Sequence, residues 1–216
     1  MLKLTIVPVT PFQQNCSIVW CSVSNRAAIV DPGGDAENIK QVVAEQGVTV
    51  DKVLLTHGHL DHAGAAASIA EHYQVPVVGP HRDDDFWLSQ LPQQAQRFQF
   101  AAQVEPLVPD QWLNDGEQVT VGERQLQVLH CPGHTPGHVV FVDVEARVAW
   151  VGDVLFHGSI GRSDFPRGDH QQLVRSIREQ LWPLGDDITF IPGHGPTSTF
   201  AEERANNPFV ADSRFG

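Results

Sequence analysis

The stretch Val53-Leu54-Leu55-Thr56-His57-Gly58-His59-Leu60-Asp61-His62 runs from an apolar segment directly into four metal-ligating side chains within six residues. The apolar part reads as a short buried strand, and the alanine-rich residues 63–73 read as the helix that follows, so the ligands occupy a strand-to-helix turn. Imidazole and carboxylate suit zinc, iron or manganese. Crowding them without a cation would leave polar groups poorly satisfied. Side chains two apart in extended backbone point the same way, so His57, His59 and, with them, Asp61 can converge, while His62 opens the helix and faces elsewhere. The alternative is a histidine-rich surface turn that binds nothing.

Three further segments place a ligand type at a strand end. Cys131-Pro132-Gly133-His134-Thr135-Pro136-Gly137-His138 holds His134 on a turn stiffened by proline and glycine, the best third ligand for a first metal. His130 and His138 flank it as buried partners that support the ligands, and Cys131 reads as a buried structural thiol. Gly152-Asp153 ends the run 148–151; Asp153 reads either as a metal bridge or as a turn or N-cap aspartate. His194 lies in Ile191-Pro192-Gly193-His194-Gly195-Pro196. A single catalytic zinc needs three protein ligands and an open position, which His57, His59 and His134 supply. Asp61, His62 and His194 then have no role unless a second ion is held, with Asp153 between the two, about 3.5 to 4 Å apart.

The rest of the chain narrows the class. Its 216 residues, 41% of them hydrophobic, fit one domain over 1–216 with a substantial core. A formal charge of -12 with only 14 lysines and arginines argues against nucleic acid. The start lacks a basic segment followed by a long apolar one, no stretch approaches a membrane span, and Cys16, Cys21 and Cys131 form no disulfide framework. The expectation is a cytoplasmic, monomeric protein.

Residues 2–7, 17–20 and 27–30 read as strands, 36–46 as a helix and 75–79 as a strand. Residues 90–103, with six glutamines, read as an exposed connector that could wall or cover the site, within a possible lid spanning 90–106. In the second half, 118–121, 125–129, 139–144, 147–151 and 188–191 read as strands and 171–180 as a helix. Two sheets packed face to face with helices outside, and ligands at one shared edge, is the expected arrangement.

With those residues in hand, the chain resembles the metallo-β-lactamase superfamily and, within it, the glyoxalase II (hydroxyacylglutathione hydrolase) branch. The likeness rests on Thr56 to His62, Gly133 to His138, Gly152-Asp153 and Gly193-His194-Gly195 in that order. It implies an αββα sandwich with a binuclear site at one edge. It further implies His57, His59 and His134 on one ion, Asp61, His62 and His194 on the other, and Asp153 on both, with two divalent ions, zinc by default and iron or manganese accepted. The implied reaction is hydrolysis of a thioester such as S-D-lactoylglutathione, in methylglyoxal detoxification, by a metal-bridging hydroxide that Asp61 orients.

The chain departs from the longer glyoxalase II proteins, which carry a helical extension that helps bind glutathione; here only 22 residues follow His194. Arg162 and Arg167, in a loop-like stretch after Asp153, are the candidates for holding an anionic substrate, although Arg162 could instead pair with Asp164 or Asp169. Gly161-Arg162-Ser163-Asp164-Phe165 is also similar to a segment of persulfide dioxygenases of the same superfamily. Such an enzyme would need one iron, on His57, His134 and Asp153, and would leave the other ligands unexplained. A non-catalytic module stabilised by metal is the third reading; closed four-ligand sites are its usual form.

Overall fold

In the computed structural model, which describes residues 1–100 and 104–215, the chain forms two facing sheets. The first contains β1 (Leu2–Val9), β2 (Gln14–Cys21), β3 (Arg26–Val30), β4 (Thr49–Leu54) and β5 (Val77–Val78) in that order. β1 to β3 are antiparallel, whereas β3, β4 and β5 run parallel, with α1 (Ala36–Gln46) crossing between β3 and β4. The helical stretch after β4 is split into α2 (Leu60–Ala63) and α3 (Ala66–Tyr73) rather than continuous over 63–73. The Ala65 N–H donates to Pro32 O at 2.9 Å, a carbonyl outside the helix, and the helical ladder breaks there.

The glutamine-rich stretch is the clearest departure from expectation. After α4 (Asp85–Leu88), residues Leu91–Arg97 form a helix, α5, with Leu91, Gln94 and Ala95 buried. A proline in its first turn suits a helix start, and the apolar spacing of four is enough to seat so short a helix against the first sheet. Of the expected connector, 101–103 lie outside the described residues.

The second sheet has β6 (Gln118–Val121), β7 (Arg124–His130), β8 (Val139–Asp143), β9 (Val148–Gly152), β12 (Thr189–Pro192) and β13 (Ser198–Thr199), in the order β13-β12-β9-β8-β7-β6. Between β9 and β12 lie the short hairpin β10 (Leu155–Phe156) and β11 (Ser159–Ile160) and the helix α6 (His170–Ser176); α7 (Phe200–Asn206) follows β13. The Asp169 side chain caps α6 by accepting the Gln172 N–H.

Period-two alternation sorts the strands between three cores. Val139 and Phe141 of β8 join Val19, Val30 and Leu54 between the sheets. Val140 and Val142 face the other way, onto Leu173, Ile177 and Phe200 of the outer helical layer. Ile18, Ile29 and Val53 pack outward on Ile39, Val43 and Ile69. Both sheets are therefore buried on two faces, and the architecture is the expected αββα sandwich. No helix among the described residues is long and apolar enough to cross a membrane.

This topology brings the ligand-bearing strand ends together. β9 and β12 are parallel and finish side by side, with a register shift at Ile191 and Pro192 and the Gly193 N–H donating to Gly152 O at 2.8 Å. β3 and β4 likewise end together, and the Val139 N–H donates to Thr56 O, stitching the β4 end to the second sheet.

Candidate metal centre

Seven side chains meet at this shared edge in three overlapping donor groups: His57, His59 and His134; His57, His62 and Asp153; and Asp61, His62 and His194. Within each, the donor atoms lie within 4.8 Å of one another. The structure thus brings together every histidine and aspartate singled out as a ligand.

The far nitrogen of four imidazoles is fixed by an oxygen. Thr56 Oγ1 donates to Asp31 Oδ2 at 2.6 Å, so it accepts from His57 Nδ1 at 3.1 Å. His62 Nδ1 meets Asp31 Oδ2 at 2.9 Å, His134 Nδ1 meets Arg162 O at 2.7 Å, and His194 Nδ1 meets Phe12 O at 3.1 Å. Carboxylates and carbonyls only accept, so the hydrogen-bond network puts a proton on Nδ1 in all four and aims each Nε2 inward.

That arrangement is unfavourable without a cation. His59 Nδ1 lies 3.1 Å from His57 Nε2 and 3.0 Å from His134 Nε2, a triangle of ring nitrogens that can share at most one proton. Tetrahedral zinc with nitrogens at about 2.0 to 2.1 Å would set them about 3.3 Å apart. The buried His62 Nε2 has no hydrogen-bond partner and faces Asp153 Oδ1, also unpartnered, at 3.3 Å. Asp153 turns its other oxygen, Oδ2, to His134 Nε2 at 3.5 Å and His194 Nε2 at 3.8 Å. One carboxylate thus addresses two donor groups. Asp61 Oδ2 lies 3.1 Å from His194 Nε2. The residues fit a pair of divalent ions.

The proton affinities follow from the same geometry. Burial, reinforced by the neighbouring imidazoles, holds His57 well below the ordinary histidine value, and burial does the same for His59 and, less strongly, for His134. Burial also opposes charge on His62, but Asp153 and Asp61 outweigh it and hold this ring well above the ordinary value. Burial opposes charge on Asp153 too, and His62 overrides it to keep the carboxyl strongly acidic.

Close approach explains two glycines. A Cβ on Gly193 would strike Asp153 Oδ1 and the His62 ring, and Gly152, at φ 48, leaves no room beside His138 Nε2 and Thr56 Oγ1.

Several supporting residues escape the sequence reading. Asp31, just after β3, takes the Thr56 N–H and hydroxyl as well as His62. Buried Asp84 accepts from the Gly58 N–H at 2.8 Å, the Gly137 N–H at 2.6 Å and Thr135 Oγ1 at 2.8 Å, tying the His57–His59 turn to the His134 turn. Gln94 accepts the Leu60 N–H and donates to Gly58 O. His138 acts as the expected support, accepting the Asp153 N–H at 3.0 Å, while His130 Nε2 donates to Pro136 O and Cys131 is buried in the outer core. His81, Asp83 and His130 make a fourth donor group, but the two rings stack at 24° and their lone pairs run side by side instead of converging.

A cavity of about 510 Å³ opens over the donors and is lined by aromatic rings, by Arg97 and by Arg162. Arg162 is committed to Asp164 through two bonds of 2.7 Å and lies over the Phe165 ring. Arg167 does not line this cavity. It stacks on Phe86, 4.0 Å from the ring centroid, beside a separate hollow, because the turn at Arg167, φ 66, sends it away.

The profile of the metallo-beta-lactamase superfamily matches residues 9–194. The chain belongs to that superfamily. Among curated relatives, it is similar to hydroxyacylglutathione hydrolase GloC of Haemophilus influenzae, at 48% identity over 97% of this chain and 98% of that protein. Among solved structures, it is similar to the BLEG-1 B3 metallo-beta-lactamase, with TM-score 0.88, 33% identity, and coverage of 96% of this chain and 99% of the other. It is also similar to TTHA1623 in a di-iron-bound form, with TM-score 0.86, 34% identity, and coverage of 95% and 100%. With the donor groups above, superfamily membership makes the chain an enzyme of the metal-dependent hydrolase class.

Proposed function

We propose that this protein, a single domain over residues 1–216, hydrolyses a thioester, with S-D-lactoylglutathione or a related hydroxyacylglutathione as the leading substrate. The observation that carries the reading is Asp153 facing two inward-turned donor groups on the floor of one cavity, in a chain that is similar to a hydroxyacylglutathione hydrolase along nearly its whole length. In this reading His57, His59 and His134 hold one ion, Asp61, His62 and His194 the other, and Asp153 both. Zinc, iron and manganese all suit nitrogen and oxygen donors without thiolate. When bound, such a pair supplies an activated water and polarises a carbonyl.

The chain's own groups do the rest. Asp61, whose side chain is partly open to the cavity, accepts a hydrogen bond from the attacking water and aligns it. Asp31, Phe12 O and Arg162 O hold the imidazoles in the tautomer that leaves Nε2 free. Trp87 and Phe165 keep bulk water off the reacting carbonyl. No general acid is required, since a departing thiolate has a conjugate acid near about 8.5.

Metal analysis of the purified protein, paired with thioester hydrolysis and oxygen uptake on the same sample, tests the reading. Two ions per chain and hydrolysis without oxygen uptake are expected. One iron and oxygen consumption with a persulfide would replace it with the dioxygenase reading.

A further inference from the structure

The cavity wall is more apolar and less basic than the anionic character of the leading substrate would suggest. Trp87 and Phe165 meet edge to face with centroids 6.0 Å apart, and Phe156 lies against His194 at 6.3 Å. At the mouth, Phe12 and Phe98 pack in a T at 5.8 Å, although they are 44% and 46% exposed. Two exposed phenylalanines packed on each other at the edge of the cavity serve no core, and an apolar patch at a cavity rim marks a binding surface.

The backbone fixes this pair to the donors. Phe12 lies on the turn between β1 and β2, where Thr10 and Gln13 take left-handed conformations at φ 63 and 53, a costly choice for residues with a side chain. The turn is held by the Thr10 N–H donating to Asp35 Oδ2 at 2.7 Å and by Phe12 O accepting from His194. Phe98 follows α5, the helix whose Gln94 pins Gly58 and Leu60. Each ring is thus carried by an element that also positions a proposed ligand.

Among the described residues, two guanidinium groups line this cavity, and Arg162 has both its bonding edges on Asp164. Arg97, in the last turn of α5, is exposed and makes no ion pair among the described residues; its guanidinium lies 6.0 Å from the Phe98 ring centroid. On a chain of net charge -12, a free guanidinium beside an aromatic mouth is the natural seat for a carboxylate, which it can grip with paired hydrogen bonds. A single free guanidinium suits one carboxylate. A polyphosphate would require several cations.

We propose that Arg97 is the anion anchor of the substrate and that Phe12 and Phe98 clasp its apolar part, so that the preferred substrates are thioesters joining one carboxylate to a hydrocarbon or aromatic segment. This rests on the thioester reading above. It moves the anchoring role from Arg162 to a residue in the last turn of α5, in a segment whose sequence looks like a connector.

The test uses the metal-loaded full chain and a matched pair of substrates, S-benzyl thioacetate and its 4-carboxybenzyl analogue, with lactoylglutathione alongside. For Arg97→Ala the ratio of kcat/KM for the carboxylated over the neutral ester should fall about tenfold, mostly through KM. Arg97→Lys should recover part of that loss, and added salt should weaken the wild-type preference. Arg162→Ala should change the ratio less than about twofold. Phe98→Ala should raise KM for both benzyl esters together. An unchanged ratio in Arg97→Ala, with hydrolysis intact, overturns the anchor and leaves the hydrolase reading standing, as does a larger shift in Arg162→Ala. Failure of the loaded wild type to cleave any of the three thioesters overturns both.

Discussion

His57, His59 and His134 are 0%, 7% and 2% exposed, whereas the side chains of Asp61 and His194 are 22% and 28% exposed. The deep group consists of three neutral imidazoles; the outer group adds a carboxylate of its own and a histidine on a glycine-flanked loop. Burial does different work in each. In the deep group it keeps the rings unprotonated and shields a bound cation from exchange, but it offers no charge to balance that cation. In the outer group the cation is attracted by Asp61 and is reached more readily by water. Asp153 supplies the missing negative charge to the deep group while also facing His62, so the two groups are not independent.

The largest effect should therefore come from the shared residue. Asp153→Ala is expected to lower the metal content of both groups and to reduce activity by more than the roughly 10–100-fold that outer supporting residues cost. Metal-to-protein ratios measured alongside hydrolysis decide it: retention of one full equivalent of metal would show that the carboxylate serves a single ion. The two groups separate in single variants. His59→Ala and His194→Ala should each leave about one ion of the pair, and a chelator should strip wild-type protein in two phases, the fast phase absent in His194→Ala. A single phase in the wild type, or a His194→Ala protein that keeps both ions, would break the distinction between deep and outer groups.

Legibility in the sequence followed the same divide. Donors packed into Thr56 to His62, or set off by glycine and proline as at His134 and His194, announce themselves, because a dense cluster of ligand types has few other uses. The strands were equally readable where both faces are buried, since Val139 to Val142 are apolar throughout and alternate only in which core they enter. Asp84 was hidden. It sits within Arg82-Asp83-Asp84-Asp85, which reads as a solvated acidic run, and its three partners are 26, 51 and 53 residues away in the chain. Gln94, Arg97 and Phe98 were hidden for a related reason: a seven-residue helix with three glutamines and only Leu91 and Ala95 as an apolar pair has almost no apolar period, and tertiary contacts decide its form. Arg167 was placed too near the site because sequence proximity to Asp153 does not fix the direction of a turn.

Asp31 and Asp84 extend the comparison outward. Asp31 touches a ligand directly, through His62 Nδ1, while Asp84 reaches only the backbone and a threonine beside the ligands. Asp31→Asn should free the His62 ring to take the other tautomer and weaken binding at the outer group by about 10–100-fold, with the deep group less affected. Titration of metal-free protein, followed by the stoichiometry at each step, would show this. Equal weakening of both steps would mean that Asp31 acts by holding the whole turn through Thr56.

The smallest expected effect on activity belongs to Asp84, and its clearest signature is in stability. Burial pushes its carboxyl up to about 6 in the metal-free protein, although Thr135, Gly58 and Gly137 hydrogen bonds pull the other way. An unfolded aspartate titrates near about 3.9, so between roughly pH 4 and 6 the folded protein binds more protons than the unfolded one and loses stability as pH rises. Asp84→Asn cannot titrate and should lack this slope, while leaving at least one buried donor unsatisfied at a cost of about 1–3 kcal/mol. Urea unfolding of metal-free wild type and Asp84→Asn at pH 4.5 and 7 compares the two directly, since all other titrating groups are shared. The wild-type advantage should shrink by about 2 kcal/mol at the higher pH. If it grows instead, the three donors outweigh burial, the folded carboxyl lies below its unfolded value, and Asp84 joins the ligand turns as a carboxylate rather than as a buried acid.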